Sequence, residues 1–532
     1  MDSLKKLEII STPESKGMRT QISAKPAVIT AKDLPVRFEF RLNEQRTAPV
    51  GHYEPEREYR RLKTEALTRT PATRRTRNQQ ADAQPADPAL ILQSLCLPAD
   101  SAGIEDSGWA PPDGGLAVGP AHLVIAVNAA CAIFDKSGKQ LLFAELSDWF
   151  APVVQKADIL TPKVIFDAQR GCWLLAACAR SQDGARSYFL LAASHTLDPQ
   201  GQWWVWALDA GHAGSLKSGL WADGLGLAVD NSAIYLTANL FDHQSRFTYS
   251  KIRILYKREV YTGAALHGWD FWDLRNPNGA PAFALQPALN FAATEVQYFL
   301  NALPDGKGLT QWGVTLGGRV PQLARRQLLT LEYRLAPNAK LPHSKMEVET
   351  GDTRLCNVVF RNGSLWTGHT VSANWGGDTN VAAIQWFQIN PLTASIIQQG
   401  IYGTPHAHYF CPAVMVDRHN RLMLVFNRTG ETDFPAIRFT GRRASDRPNT
   451  LQASALLKQS PVPGGKVWSA CSGAALAPNG SDFWIIGQYT IGRNEWATWI
   501  GETTYAPRAT DHNAPSVRSR SRSRAAAKSA CA

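Results

Sequence analysis

The sequence predicts an all-β chain built around a β-propeller of about seven four-stranded blades, with a partly ordered basic N-terminal arm and a disordered C-terminal tail. Three observations carry that expectation. From about residue 90 to residue 505, short β-rich runs alternate with Gly, Asn, Asp and Pro turns, and no long helical pattern interrupts them. One unit recurs along this stretch: an apolar triplet, a turn, then an aromatic or aliphatic strand. Seventeen Trp stand against five Met, a balance suited to aromatic-rich strands rather than helical bundles.

Residues 1–88 form the arm and linker. Val36-Arg37-Phe38-Glu39-Phe40-Arg41-Leu42 alternates apolar and charged residues, as a half-buried strand does. Between Glu56 and Leu67, Tyr59, Leu62 and Ala66 recur at helical spacing and Glu56 precedes Arg60 by four residues, which predicts a short amphipathic helix. Residues 74–88, rich in Arg, Gln, Ala and Pro, read as linker.

Residues 89–507 form the propeller. Its repeating unit appears at Leu116-Ala117-Val118-Gly119-Pro120, at Val164-Ile165-Phe166-Asp167 and at Leu227-Ala228-Val229-Asp230. It returns, more weakly, at Leu289-Asn290-Phe291, and clearly at Val358-Val359-Phe360-Arg361, Val414-Met415-Val416-Asp417 and Ala475-Leu476-Ala477-Pro478. The turn positions lie roughly 47 to 68 residues apart, the length of a blade with loop insertions. A more polar strand pair follows each unit, and four strands stacked radially bury both sheet faces. An array of β-sandwiches would need linkers, and none interrupts Leu90 to Tyr505. The last unit shows about three strands, so Leu90-Ile91-Leu92-Gln93-Ser94-Leu95 is the expected closing strand. Residues 508–532 are an Arg/Ser-rich tail.

No apolar run approaches the roughly 18 residues of a membrane span. No apolar stretch follows Lys5 and Lys6, so no signal peptide is visible and a cytoplasmic location is the default expectation, with another export route or a different start left open. The eight cysteines are dispersed without a CxxC pair, which argues against zinc ribbons and thioredoxin-like sites. Buried free thiols are expected, with a Cys172–Cys178 disulfide as the alternative. Much of the net charge of +11 sits in Arg74-Arg75-Thr76-Arg77 and in the Arg/Ser repeat 518–524, so any polyanion contact through these ends is nonspecific and salt-sensitive.

Pro111-Pro112-Asp113-Gly114-Gly115-Leu116-Ala117-Val118-Gly119-Pro120, then Val127-Asn128 and Ile133-Phe134-Asp135-Lys136-Ser137-Gly138, resembles the opening blade of a group of bacterial sialidase-like β-propellers. The likeness continues through Leu197-Asp198-Pro199-Gln200-Gly201-Gln202-Trp203 and Leu365-Trp366-Thr367-Gly368-His369-Thr370 to Trp496-Ala497-Thr498-Trp499-Ile500-Gly501, about 400 residues in order. The resemblance implies a propeller from a group that is mostly exported and mostly without an assigned activity. Acids usual at blade starts are replaced here by Leu160-Thr161-Pro162, Ala222-Asp223-Gly224 and Trp468-Ser469-Ala470-Cys471, while Thr432-Asp433-Phe434-Pro435 keeps the related pattern. Such acids would line a channel or bind a cation, so their loss predicts that this chain does not use that chemistry.

A sialidase would need an arginine triad, a Tyr–Glu nucleophile pair and an acid/base Asp. Ser181-Gln182-Asp183-Gly184 and Phe434-Pro435-Ala436-Ile437-Arg438 are only fragments of the turn box and start motif the resemblance leads one to seek. No phosphate-binding glycine loop, nucleophile elbow or HExxH motif is present. His406 and His408 alternate and could supply two metal ligands, but a metal site would need further ligands from other blades, so none is expected. Trp375, in Asn374-Trp375-Gly376-Gly377-Asp378, either stacks on a sugar or packs.

The expected function is therefore a non-enzymatic binding or scaffold propeller, without cofactor, engaging a protein or glycan through its face loops. The alternative is a glycoside hydrolase or sialidase-like enzyme with its site at the channel mouth. Candidate face-loop residues are Asp113, Asp223, Trp375, Asp378, His406, His408, Asp433, Arg438 and Trp468; no catalytic residue is assigned.

Overall fold

The computed structural model describes residues 8–9, 16–20, 24–35, 46–69, 78–82, 96–105, 107–213, 216–318, 320–342, 346–377, 379–464, 468, 472–492 and 495–505. The expected strands at 36–42 and 90–95, most of the linker, Asp378 and the tail lie outside these residues.

The described chain is all-β with propeller-like succession. Four-strand antiparallel runs follow one another, each starting from an innermost strand. The innermost strands are Gly115–Val118, Ala157–Asp167, Trp221–Val229, Gln286–Asn290, Val358–Arg361, Ala407–Val416 and Gly473–Leu476. Each touches the next, and the seventh touches the first. The seventh run is completed by Cys96–Glu105, which pairs with Glu495–Thr504, so a strand from before the first unit finishes the last one.

The sheets are not uniform. Pro287 has no N–H to give to its neighbour. Only Gln286 and Pro287 pair with Gln297–Ala302, and residues 288–290 turn aside to pair in parallel with residues 358–360. The fourth and fifth runs thereby join into one ten-stranded sheet. This is also where the repeating unit is weakest in the sequence.

The core lies between neighbouring sheets. Val124, Ala126 and Ile133 of the first run pack against Val164, Trp173 and Leu175 of the second, and Trp149 meets Trp203 edge-on with centroids 5.2 Å apart. Eight of the tryptophans are essentially solvent-free, among them Trp206, Trp312, Trp366 and Trp386, which is what the Trp-rich composition is for. Cys172 and Cys178 are free thiols, and both are buried. Turn acids satisfy local backbone: Asp230 Oδ1 accepts the N–H groups of Ser232 (2.7 Å) and Ala233 (2.8 Å), and Asp417 Oδ1 those of His419 (2.8 Å) and Arg421 (2.9 Å).

The N-terminal segments run over this body. Lys16–Thr20 adds an antiparallel strand to the outer edge Gly268–Trp272, and Ala27–Thr30 does the same on Gln202–Asp209. Gln79–Ala81 pairs in parallel with Ser395–Gly403. Edges that would otherwise present unpaired N–H and C=O groups are covered in this way. Between these strands, helix α1 (Glu56–Glu65) forms at the predicted position, with Tyr59 and Lys63 on its buried side. No helix among the described residues is long and apolar enough to cross a membrane.

Candidate functional site

The innermost strands surround a central cavity of about 140 Å³ whose walls are mostly apolar, including Leu116, Phe166, Leu227 and Met415. Cys356 also lines a small space of about 40 Å³ at one end of it, shared with His52, Glu349 and Trp468. Asp352 and Arg354 belong both to that space and to a larger cavity of about 410 Å³ bounded by α1 and the loops around 304–307 and 332–335. The three spaces thus form a series from the centre outward, and the N-terminal segment 50–66 borders the outer two.

That segment holds the charged groups of the mouth. Arg354 donates to Asp352 through Nε (2.7 Å) and Nη2 (2.6 Å), a bidentate fork, and Nη2 also reaches the Gly51 carbonyl at 2.6 Å. Burial would raise the Asp352 carboxyl, but the Arg354 charge and hydrogen bonds, with His52, outweigh it and hold the carboxyl well below the usual carboxylate range. The His52 ring stacks on Tyr59 with centroids 3.7 Å apart, and its Nδ1 lies 3.6 Å from Asp352. Tyr59 donates to Glu349 at 2.7 Å, and burial followed by the Glu349 charge pushes its hydroxyl well above the ordinary tyrosine value. Lys63 donates to Thr350 Oγ1 (2.7 Å) and the Gly351 carbonyl (2.9 Å); burial lowers its ammonium to about 8, against the opposing pull of Glu349 and Asp352. The Gly51 N–H donates to Asp223 at 3.2 Å, and burial raises the Asp223 carboxyl. A Cβ at Gly51 would stand 2.1 Å from the Phe241 ring, so only glycine lets the segment approach this closely.

The larger cavity differs in character. Arg69, Arg334 and Lys307 face Glu54, Asp305 and Glu332 around it, and Tyr53, Tyr333 and Phe283 add aromatic surface. Opposite charges are balanced, so the lining suits a polar ligand with many donors and acceptors.

The structure brings Asp223 and Trp468, of the residues singled out from sequence, to the mouth and scatters most of the others. Asp223 is buried under Gly51, and Asp113, at φ +46°, lies 3.6 Å from the Lys163 ammonium; both stand near the starts of innermost strands. Trp468 is buried and meets Phe410 edge-on. Half-buried Trp375 packs on Ala373, Ala383 and Ile401. Asp433 pairs with Arg428 at 2.8 Å. Arg438 donates to Ser454 Oγ (2.8 Å) and its carbonyl (2.9 Å). The strand begins at Ala407, leaving His406 exposed in a turn at φ +63°, so the two histidines do not share a strand face. His408 is buried, its Nδ1 accepts the Ala382 N–H at 3.2 Å, and burial with Lys63 and Lys340 nearby lowers it to about 3. Sequence reasoning missed His52, Tyr59, Glu349, Asp352, Arg354, Arg334 and Glu332. A signal was available: Gly351-Asp352-Thr353-Arg354 puts an acid and an arginine two residues apart in a turn-rich connection between units.

No protein-family model and no curated protein matches the chain. Among solved structures, it is similar to a Dyadobacter fermentans protein of unknown function at 10% identity, over 66% of this chain and 96% of that one, with a TM-score of 0.38. It is similar to the Trypanosoma rangeli sialidase bound to DANA at 8% identity, over 76% of this chain and 60% of that one, with a TM-score of 0.35. A third is an α-L-arabinofuranosidase from Fusarium graminearum at 10% identity, over 76% and 97%, with a TM-score of 0.37. At such scores no property of these proteins is carried over to this one.

Proposed function

We propose that this chain is a propeller of seven four-stranded blades that binds a glycan in the cavity beside α1 without turning it over. The cycle of innermost strands supports the blade count, and the strands added by the N-terminal segments support treating residues 1–88 as a strap on the propeller. The observation that carries the functional reading is the state of the groups at the mouth. Both Asp352 oxygens are taken up by the Arg354 fork and the Tyr59 hydroxyl proton is committed to Glu349, which leaves neither group free to act on a substrate as nucleophile or proton donor. The neighbouring cavity offers room, aromatic surface and balanced polar groups. Aromatic rings stack on sugar faces while charged side chains take up hydroxyls, a combination suited to recognition.

One observation favours a second reading, glycoside hydrolysis. Glu54 and Glu332 line the same cavity with no ion-pair partner among the described residues, and a pair of carboxylates is what such hydrolysis requires. A glycan-array screen of the full chain, with turnover followed in the same samples, separates the two. Binding that weakens at least tenfold in Arg334→Ala, with no product, supports recognition. Product formation that is lost in Glu332→Gln while binding persists supports hydrolysis. Failure to bind any glycan would move the reading to a protein partner.

A further inference from the structure

Residues 78–82 occupy a groove between the fifth and sixth sheets, where Gln79 donates to the Asn374 carbonyl at 2.8 Å. The backbone adds only a short parallel ladder there: Ile401 donates to the Asn78 carbonyl at 3.0 Å, and the Asp82 N–H donates to Gly403 at 2.7 Å. Most of the recognition comes from side chains. The Gln80 amide mimics a backbone group, donating to the Leu451 carbonyl at 2.6 Å and accepting the Leu451 N–H at 2.7 Å. The Asp82 carboxylate accepts the Tyr402 hydroxyl at 2.5 Å on one oxygen and the Tyr409 hydroxyl at 2.9 Å on the other. Ser454 adds its N–H at 3.0 Å and its hydroxyl at 2.5 Å. Behind it, Arg438 donates to the same Ser454 hydroxyl, so a fixed cation stands one residue from the carboxylate.

Both tyrosines belong to the buried framework of their sheets, Tyr402 at 0% and Tyr409 at 1% exposure, with ring centroids 5.9 Å apart and perpendicular. Phe426 packs against both rings, with centroids 6.2 and 5.2 Å away, and helps fix the receptor for the carboxylate. Four donors converging on one carboxylate read that group by charge and geometry, whereas a ladder of three residues reads almost nothing. A competitor with the same two side chains at the same spacing would gain the same contacts, against which the tethered segment has the advantage of effective concentration.

We infer that this groove is a recognition site for an extended segment of a partner protein that carries a glutamine followed two residues later by an aspartate, and that residues 78–82 occupy it in the partner's absence. Recognition is by strand addition, with specificity in the alternate side chains. Asparagine in place of the aspartate loses the charge, and its NH2 group turns the Tyr409 and Ser454 hydroxyls from donors into acceptors, so it is bound more weakly.

The test is a fluorescence-anisotropy titration of a labelled synthetic peptide with the sequence of residues 76–84 against the full-length chain carrying Asp82→Ala, which weakens the tethered competitor. Saturable binding is expected, at least tenfold tighter than to the wild-type chain and at least tenfold tighter than for the same peptide with Asp82→Asn. Adding Tyr402→Phe and Tyr409→Phe to the chain should weaken binding at least tenfold more. Absence of saturable binding, or equal binding of the aspartate and asparagine peptides, overturns the inference. Should circular dichroism show Asp82→Ala to be unfolded, the Gln80→Ala chain replaces it in the same titration with the same expectations. Glycan binding at the mouth has no part in this measurement, so either result stands apart from that reading.

Discussion

Asp352 and Arg354 are each only about an eighth exposed, and a buried ion pair that loses one partner leaves the other without compensation. Arg354→Ala is expected to cost about 3–5 kcal/mol in chemical denaturation, and Asp352→Asn less, because the amide keeps one acceptor for the fork. Lys63 gives a pH signature of its own. Its folded pKa is about 8, below the unfolded value of about 10.4, so between those values the unfolded chain binds the extra proton. Stability should therefore rise with pH across that window, and Lys63→Met should flatten the rise in denaturation curves taken from pH 7.5 to 10. Unchanged slopes in the two proteins would place the buried ammonium elsewhere. Asp230 and Asp417 were readable from sequence as turn positions of the repeating unit, and their backbone partners lie two to four residues away. The mouth was not, because His52 meets Asp352 across three hundred residues and no local pattern records such a pairing.

Among the elements, α1 was legible from the 3.6-residue spacing of Tyr59, Leu62 and Ala66, and its docking surface was not. Its side chains bond to Glu349, Thr350 and Gly351, in the connection before the fifth sheet. Period-two reasoning also has a boundary condition, seen at His406 and His408: alternation places residues on one face only inside a strand, and His406 sits one residue before it. Gly51→Ala would drive a Cβ into Phe241 and is expected to cost about 1–3 kcal/mol, with faster amide exchange confined to residues 46–66. Protection unchanged there would mean the segment is held by α1 alone. Deleting residues 1–35 removes the strands on Gln202–Asp209 and Gly268–Trp272 and uncovers Trp203 and Val205 beside Ile29. A Tm lowered by roughly 5–10 °C by calorimetry is the expected result; an unchanged Tm would show these added strands to be dispensable.

For the whole molecule, repeat spacing and aromatic content reveal the all-β succession because every blade-length unit meets the same demand, to bury two sheet faces with short edges left over. Departures from uniformity were less visible. The fourth and fifth sheets join through residues 288–290, just after Pro287, and the completion of the last sheet by Cys96–Glu105 is a long-range pairing that starts just beyond the segment expected to make it. Function separates from fold at this scale, since an apolar central cavity, a charged mouth held by the chain's own N-terminal segment and a mixed polar cavity beside it are three different environments on one scaffold. The most direct test is the glycan-array screen of the full-length chain with product analysis of every bound glycan. Saturable binding without product, reduced at least tenfold by Arg334→Ala, is the predicted result; glycan cleavage abolished by Glu332→Gln would contradict it and make the cavity beside α1 an active site.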